Sequence, residues 1–169
     1  METEYKLSKI GHKPKKDGSP GKIFISYEVE VGDEEPDEYT VSTSDLALPS
    51  FYEALADLRQ DVNEICELDL DEDRVESYIH VRSISFSHPK NTTGATITAL
   101  RELRNAYAPL VLNTPHKFFS MPGGEESGED EKQLLSEDTV QRLQKLQQEA
   151  IRFICGERAQ PSLFPPEAV

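Results

Sequence analysis

One run of residues constrains the fold more than any other. From Ile23 onward, Ile23, Ile25, Tyr27, Val29 and Val31 recur at every second position, with Ser26, Glu28 and Glu30 between them. A two-residue period places the apolar set on one face of an extended strand and the polar set on the other. Gly32 to Glu35 reads as an acidic turn, and Glu38-Tyr39-Thr40-Val41-Ser42 as the strand that returns along it. Tyr5 to Ile10 also alternates and ends in a connection dense in Gly, Pro and Lys. Three antiparallel strands are therefore expected before residue 43.

A helix should follow. Ser50 and Glu53 have the spacing of a capping box, and Phe51, Leu55, Leu58, Val62, Ile65 and Cys66 make one apolar stripe behind it. After an acidic link from Asp69 to Asp73, Val75 to Phe86 has strand composition, as do Ala95–Leu100 and Leu110–Asn113. A last helix opens at Ser136, with Glu137 and Asp138 in its first turn, and buries Val140, Leu143, Leu146, Ala150, Phe153 and Ile154. The order β-β-β-α-β-β-β-α predicts an α+β fold, an antiparallel sheet of about five to six strands with two amphipathic helices. The implied organisation is a core domain over 1–119, an acidic flexible linker over 120–135, a helix over 136–156 packed on the core, and an extended tail over 157–169.

Charge narrows the function. The chain carries 32 acidic and 18 basic side chains for a net charge of −14. The distribution is uneven: residues 1–27 sum to +3, 28–76 to −16, 77–120 to +4 and 121–169 to −5. The acidic segment is read either as a solvated face that keeps the chain soluble or as a surface that mimics nucleic-acid phosphates against a basic host protein. In the +4 segment, Tyr78, His80, Arg82 and Phe86 alternate on one face of the expected strand and can stack bases of a single strand. The competing reading is core, because Ile84 shares that face.

Catalytic, cofactor and metal patterns are not evident. There is no phosphate-cradling Gly-x-x-x-x-Gly-Lys loop, no Gly-x-Gly-x-x-Gly, no His-Glu-x-x-His and no Cys-x-x-Cys. Asp69, Asp71 and Asp73 open like a calcium loop but lack its turn glycine and closing glutamate. Cys66 and Cys155 cannot make a disulfide framework, and no apolar run is long enough to span a bilayer. A non-enzymatic cytoplasmic protein without a cofactor is the expectation.

The tail carries the most specific signal. Gln160-Pro161-Ser162-Leu163-Phe164 resembles the bacterial sliding-clamp-binding pentapeptide, Gln-x-x-Leu-Phe, with proline at a position where leucine or isoleucine is usual. Gln160 would fix the register, Ser162 stands where serine or aspartate is common before the leucine, and Leu163 and Phe164 would fill a partner's pocket. Each apolar side chain is worth about 1.5–3 kcal/mol when buried. The alternative is that both fold back on the domain as a clip. Phe51-Tyr52-Glu53-Ala54-Leu55, Val81 to Ser87, Gly94 to Ala99, Leu112 to Lys117 and Gly156 to Gln160 together resemble a family of small acidic proteins of phages and prophages of Gram-positive bacteria. That resemblance implies a bacterial host cytoplasm and a setting in phage DNA replication or recombination. It brings no catalytic residues.

Overall fold

The computed structural model describes residues 3–124 and 130–159. Seven strands form one antiparallel sheet: β1 (Thr3–Lys13), β2 (Lys22–Val31), β3 (Asp37–Thr43), β4 (Ile79–Ser87), β5 (Gly94–Arg101), β6 (Leu110–Asn113) and β7 (Lys117–Phe118). Their spatial order is β3-β2-β1-β4-β5-β6, with the short β7 also on β5. Four helices accompany them: α1 (Pro49–Ala56), α2 (Arg59–Ile65), α3 (Glu72–Tyr78) and α4 (Glu137–Ile154). The expected antiparallel α+β architecture is the one the chain adopts.

One sheet face carries the core. Ile10, Ile23, Ile25, Ile79, Ile84 and Ile97 are fully buried against Phe51, Leu58, Val62, Leu143, Leu146 and Phe153 of the helical layer. The other face presents Ser26, Thr40, Ser83, Ser85, Thr96 and Thr98 in cross-strand rows, and this face is only partly covered. At its centre the Phe24 ring lies over Gly11. A Cβ on Gly11 would stand 1.9 Å from Phe24 Cζ.

The helices differ from the expectation in three places. The stripe from Phe51 to Cys66 is two helices, because the chain turns at Asp57 and Leu58 and Arg59 Nε donates to the Ala56 carbonyl, satisfying an end that the ladder leaves open. Ser50 is not a cap: Pro49 occupies the first turn, Leu48 is the N-cap residue, and Ser50 Oγ instead donates to Glu149 Oε2 on α4 at 2.7 Å. Val75 to Tyr78 is helical rather than extended, since Asp71 accepts from the Arg74 N–H and Glu72 and Asp73 sit in the first turn. The Ser136 cap on α4 is present, accepting from Thr139 N–H.

Two expected boundaries also move. Within 120–135, Leu135 is buried and its N–H donates to Phe118 C=O, while Thr92 Oγ1 donates to Ser120 C=O at 2.9 Å. The flanks of that stretch thus belong to the fold, and residues 125–129 lie outside the described residues. The chain beyond α4 stays docked as far as Ala159, whose N–H donates to Leu46 C=O. Arg158 pairs with Asp45 at 2.7 Å and covers the Phe153 ring.

Candidate functional site

The end of the sheet where β4 begins and β5 finishes carries three adjoining hollows. Ile79 pairs with Arg101 and His80 with Leu100, and the Glu102 N–H donates to Tyr78 C=O at 2.9 Å, tying the close of α3 to the close of β5. Residues 102–109 then loop outward before β6 returns. Between loop and strand ends lies a hollow of about 350 Å³, lined by Tyr78, His80, Arg82, Leu100, Glu102, Leu103, Ala106, Tyr107 and Pro109. Tyr78, Glu102 and Leu103 also wall a second hollow of about 220 Å³ with Leu70, Arg74, Arg101 and Arg104. On the other side His80 and Arg82 lead into a third, of about 160 Å³, which includes His12, Tyr52 and Arg59. Shared walls make the three one belt around the end of the sheet.

The belt gathers positive charge in a strongly acidic chain. Arg59 and Arg74 are the only basic residues of the −16 segment, and both line it. Arg82, Arg101 and Arg104 come from the +4 segment, and Glu102 is the one acid among the lining residues. The Arg59 guanidinium is engaged by the Ala56 and Glu76 carbonyls, and Arg74 lies 3.7 Å from Asp71. Burial lowers the Arg82 pKa, and the nearby Glu102 carboxylate opposes that shift. A guanidinium so placed stays charged. Burial also lowers the His12 pKa; the Pro20 carbonyl opposes this and the Arg82 charge adds to it.

Between the guanidinium groups stand phenol rings. Tyr78 lies at the junction of the first two hollows, and Tyr107 on the loop is fully exposed. Among the described residues His80 Nε2 is shut from solvent with no hydrogen-bond partner, although Glu102 Oε1 is 3.4 Å away. A buried polar atom left this way carries a desolvation cost. Guanidinium groups interleaved with aromatic faces suit a phosphodiester chain whose bases are unstacked.

Of the residues singled out in the sequence, Tyr78, His80 and Arg82 come together here. Phe86 does not. It is 8% exposed and packed in the core, because β4 carries a bulge between Val81 and Ser83. The bulge breaks the two-residue period, so Ile84 and Phe86 join Ile79 and Val81 on the core face. Tyr78, expected in the strand, is the last residue of α3. Sequence reasoning missed Arg74, Arg101, Arg104 and Tyr107; the isolation of Arg59 and Arg74 in so acidic a stretch was the available signal.

The acids of residues 28–76 do not make one array. Those of the β2–β3 hairpin lie at the end where Val31 meets Thr3, whereas those of α2 and α3 lead to Ile79, beyond the Gly11–Ser83 pair at the other end. Asp61 is buried outright. Gln160, Ser162, Leu163 and Phe164 lie outside the described residues.

No protein-family model, curated protein or solved structure matches the chain. Among the described residues no helix is long and apolar enough to cross a membrane, and no three His, Cys, Asp or Glu side chains gather as a metal site.

Proposed function

We propose that this chain is a non-catalytic, phage-type accessory protein of DNA replication or recombination that holds single-stranded nucleic acid in the belt around Tyr78. One observation carries the reading: five of the eighteen basic side chains, Arg59, Arg74, Arg82, Arg101 and Arg104, line a belt that also presents Tyr78 and Tyr107. The arginines would neutralise phosphates and the rings would stack bases, which needs no particular base sequence. The chain as a whole carries a net −14, so the surface away from the belt repels nucleic acid and binding is limited to this belt. The test is fluorescence anisotropy of a labelled oligothymidylate with the full chain at low salt. Binding that weakens steeply as salt rises supports the reading; an unchanged signal up to high micromolar protein rejects it.

A second contact is favoured by the position of the tail motif. Gln160, Ser162, Leu163 and Phe164 follow directly on Ala159, whose N–H donates to Leu46 C=O. Docking of this peptide on the bacterial sliding clamp would bring the nucleic-acid belt to the replication machinery, with an affinity on the order of micromolar for a single motif.

A further inference from the structure

A second groove, between β1 and α4, takes no part in the Tyr78 belt. β1 pairs with β2 from Thr3 to Lys13 but with β4 only over Lys9–Gly11. β4 ends at Ser87, and the next residue, His88, donates from Nε2 to the Leu7 carbonyl at 2.8 Å. Main-chain groups alternate in direction along a strand, so those of Thr3 and Tyr5 point the same way as the Leu7 carbonyl. Among the described residues no strand meets them on that side.

This open edge faces a groove of about 800 Å³ whose opposite walls are Asn91, Thr93 and the α4 residues Gln144, Gln147 and Gln148. The walls opposite the strand are uncharged amides and hydroxyls; on the strand side the groove also meets the exposed Glu4, and Lys6 is already paired with Glu30 at 3.2 Å. Such a lining offers little to a phosphate or a carboxylate. Carboxamides both donate and accept, as peptide groups do. Unpaired strand N–H and C=O groups, repeating every second residue, match the main chain of another extended polypeptide. The outer strands β3 and β6 are open edges too, but among the described residues the groove of about 800 Å³ lies against β1 and not against either of them.

We propose that this groove is a strand-addition site, which takes an extended, uncharged segment of a partner protein as a new strand beside Thr3–Leu7. The chain's own tail is a poor occupant, since Pro161, Pro165 and Pro166 lack the N–H groups a ladder uses.

The experiment pans a random decapeptide library displayed on phage against the full chain and synthesises the enriched peptides. Their binding should slow hydrogen exchange at the Tyr5 and Leu7 amides at least tenfold. It should fall at least tenfold when Gln147→Trp fills the groove, and likewise when alternate peptide nitrogens are methylated. Three results would overturn the proposal: no enrichment, protection appearing at β3 or β6 instead, or Tyr5 and Leu7 amides already slow in the free chain. The last would mean that the tail or a second copy occupies the edge.

Discussion

Asp61 and Arg142 form a two-pronged ion pair between α2 and α4. Arg142 Nε donates to Oδ2 at 2.7 Å and Nη2 to Oδ1 at 2.6 Å, while Thr139 Oγ1 also donates to Oδ1 at 2.6 Å. Asp61 is 0% exposed, and its hydrogen bond raises the Arg142 pKa. Arg142→Ala leaves the carboxylate buried with one hydroxyl partner. Urea unfolding of that variant should show a loss of about 3 kcal/mol, within the range for breaking one side of a buried pair. A loss below about 1 kcal/mol, the level of a surface pair, would show that the pair does not hold α2 to α4.

The nucleic-acid reading separates charge from stacking. Arg104→Glu should weaken oligothymidylate binding and reduce the slope of log affinity against log salt by about 1, as loss of one phosphate contact does. Tyr107→Ala should weaken binding by about 1–3 kcal/mol with the slope unchanged. Tyr107 and Arg104 are both exposed, so neither change should shift the melting temperature. Equal salt slopes in wild type and Arg104→Glu would exclude this arginine from the contact.

Gly11 has its own signature. With a Cβ at 1.9 Å from Phe24 Cζ, Gly11→Ala forces the ring off the sheet face and away from Lys9, whose ammonium is 5.5 Å from the ring centroid. A cost of about 1–3 kcal/mol is expected for such overpacking. In a Phe24→Ala background the same change should cost at least about 0.5 kcal/mol less. Strict additivity in the four-variant cycle would contradict the contact.

His12 predicts an acid weakness. Its folded-state pKa is lowered, chiefly by burial, so below its ordinary value of 6.5 the unfolded chain binds the proton more readily than the native one. Its contribution to stability therefore declines as pH falls through 6.5 and levels off below the folded pKa. Unfolding free energies from pH 8 to pH 5 should decline more in wild type than in His12→Gln. Parallel curves would remove His12 from the balance.

For the tail, a peptide spanning residues 157–169 should bind bacterial sliding clamp in the micromolar range. Leu163→Ala and Phe164→Ala should each weaken it at least tenfold, about 1.4 kcal/mol. Undiminished binding by both variants would dissociate the motif from the contact.

What the sequence by itself determined is what repeats locally. The two-residue alternation from Ile23 specifies the buried face at Ile23 and Ile25 before fading to an exposed Val31, and the three- and four-residue spacing of Leu143, Leu146, Ala150 and Phe153 specifies that of α4; burial of those faces holds the antiparallel sheet against α4. The serine cap of α4 was legible because capping involves residues three apart. What the tertiary structure decided depends on chain segments far apart in sequence. The break between α1 and α2 becomes intelligible only with Arg59 turned back onto Ala56, and the reversal of Phe86 with the bulge of β4 against β5. The belt is the largest instance: Arg74, Arg82, Arg101 and Arg104 lie on α3, β4, β5 and the following loop, and their like charges repel. No local pattern places them together; the pairing of Ile79 with Arg101, made for the sake of the core, does so.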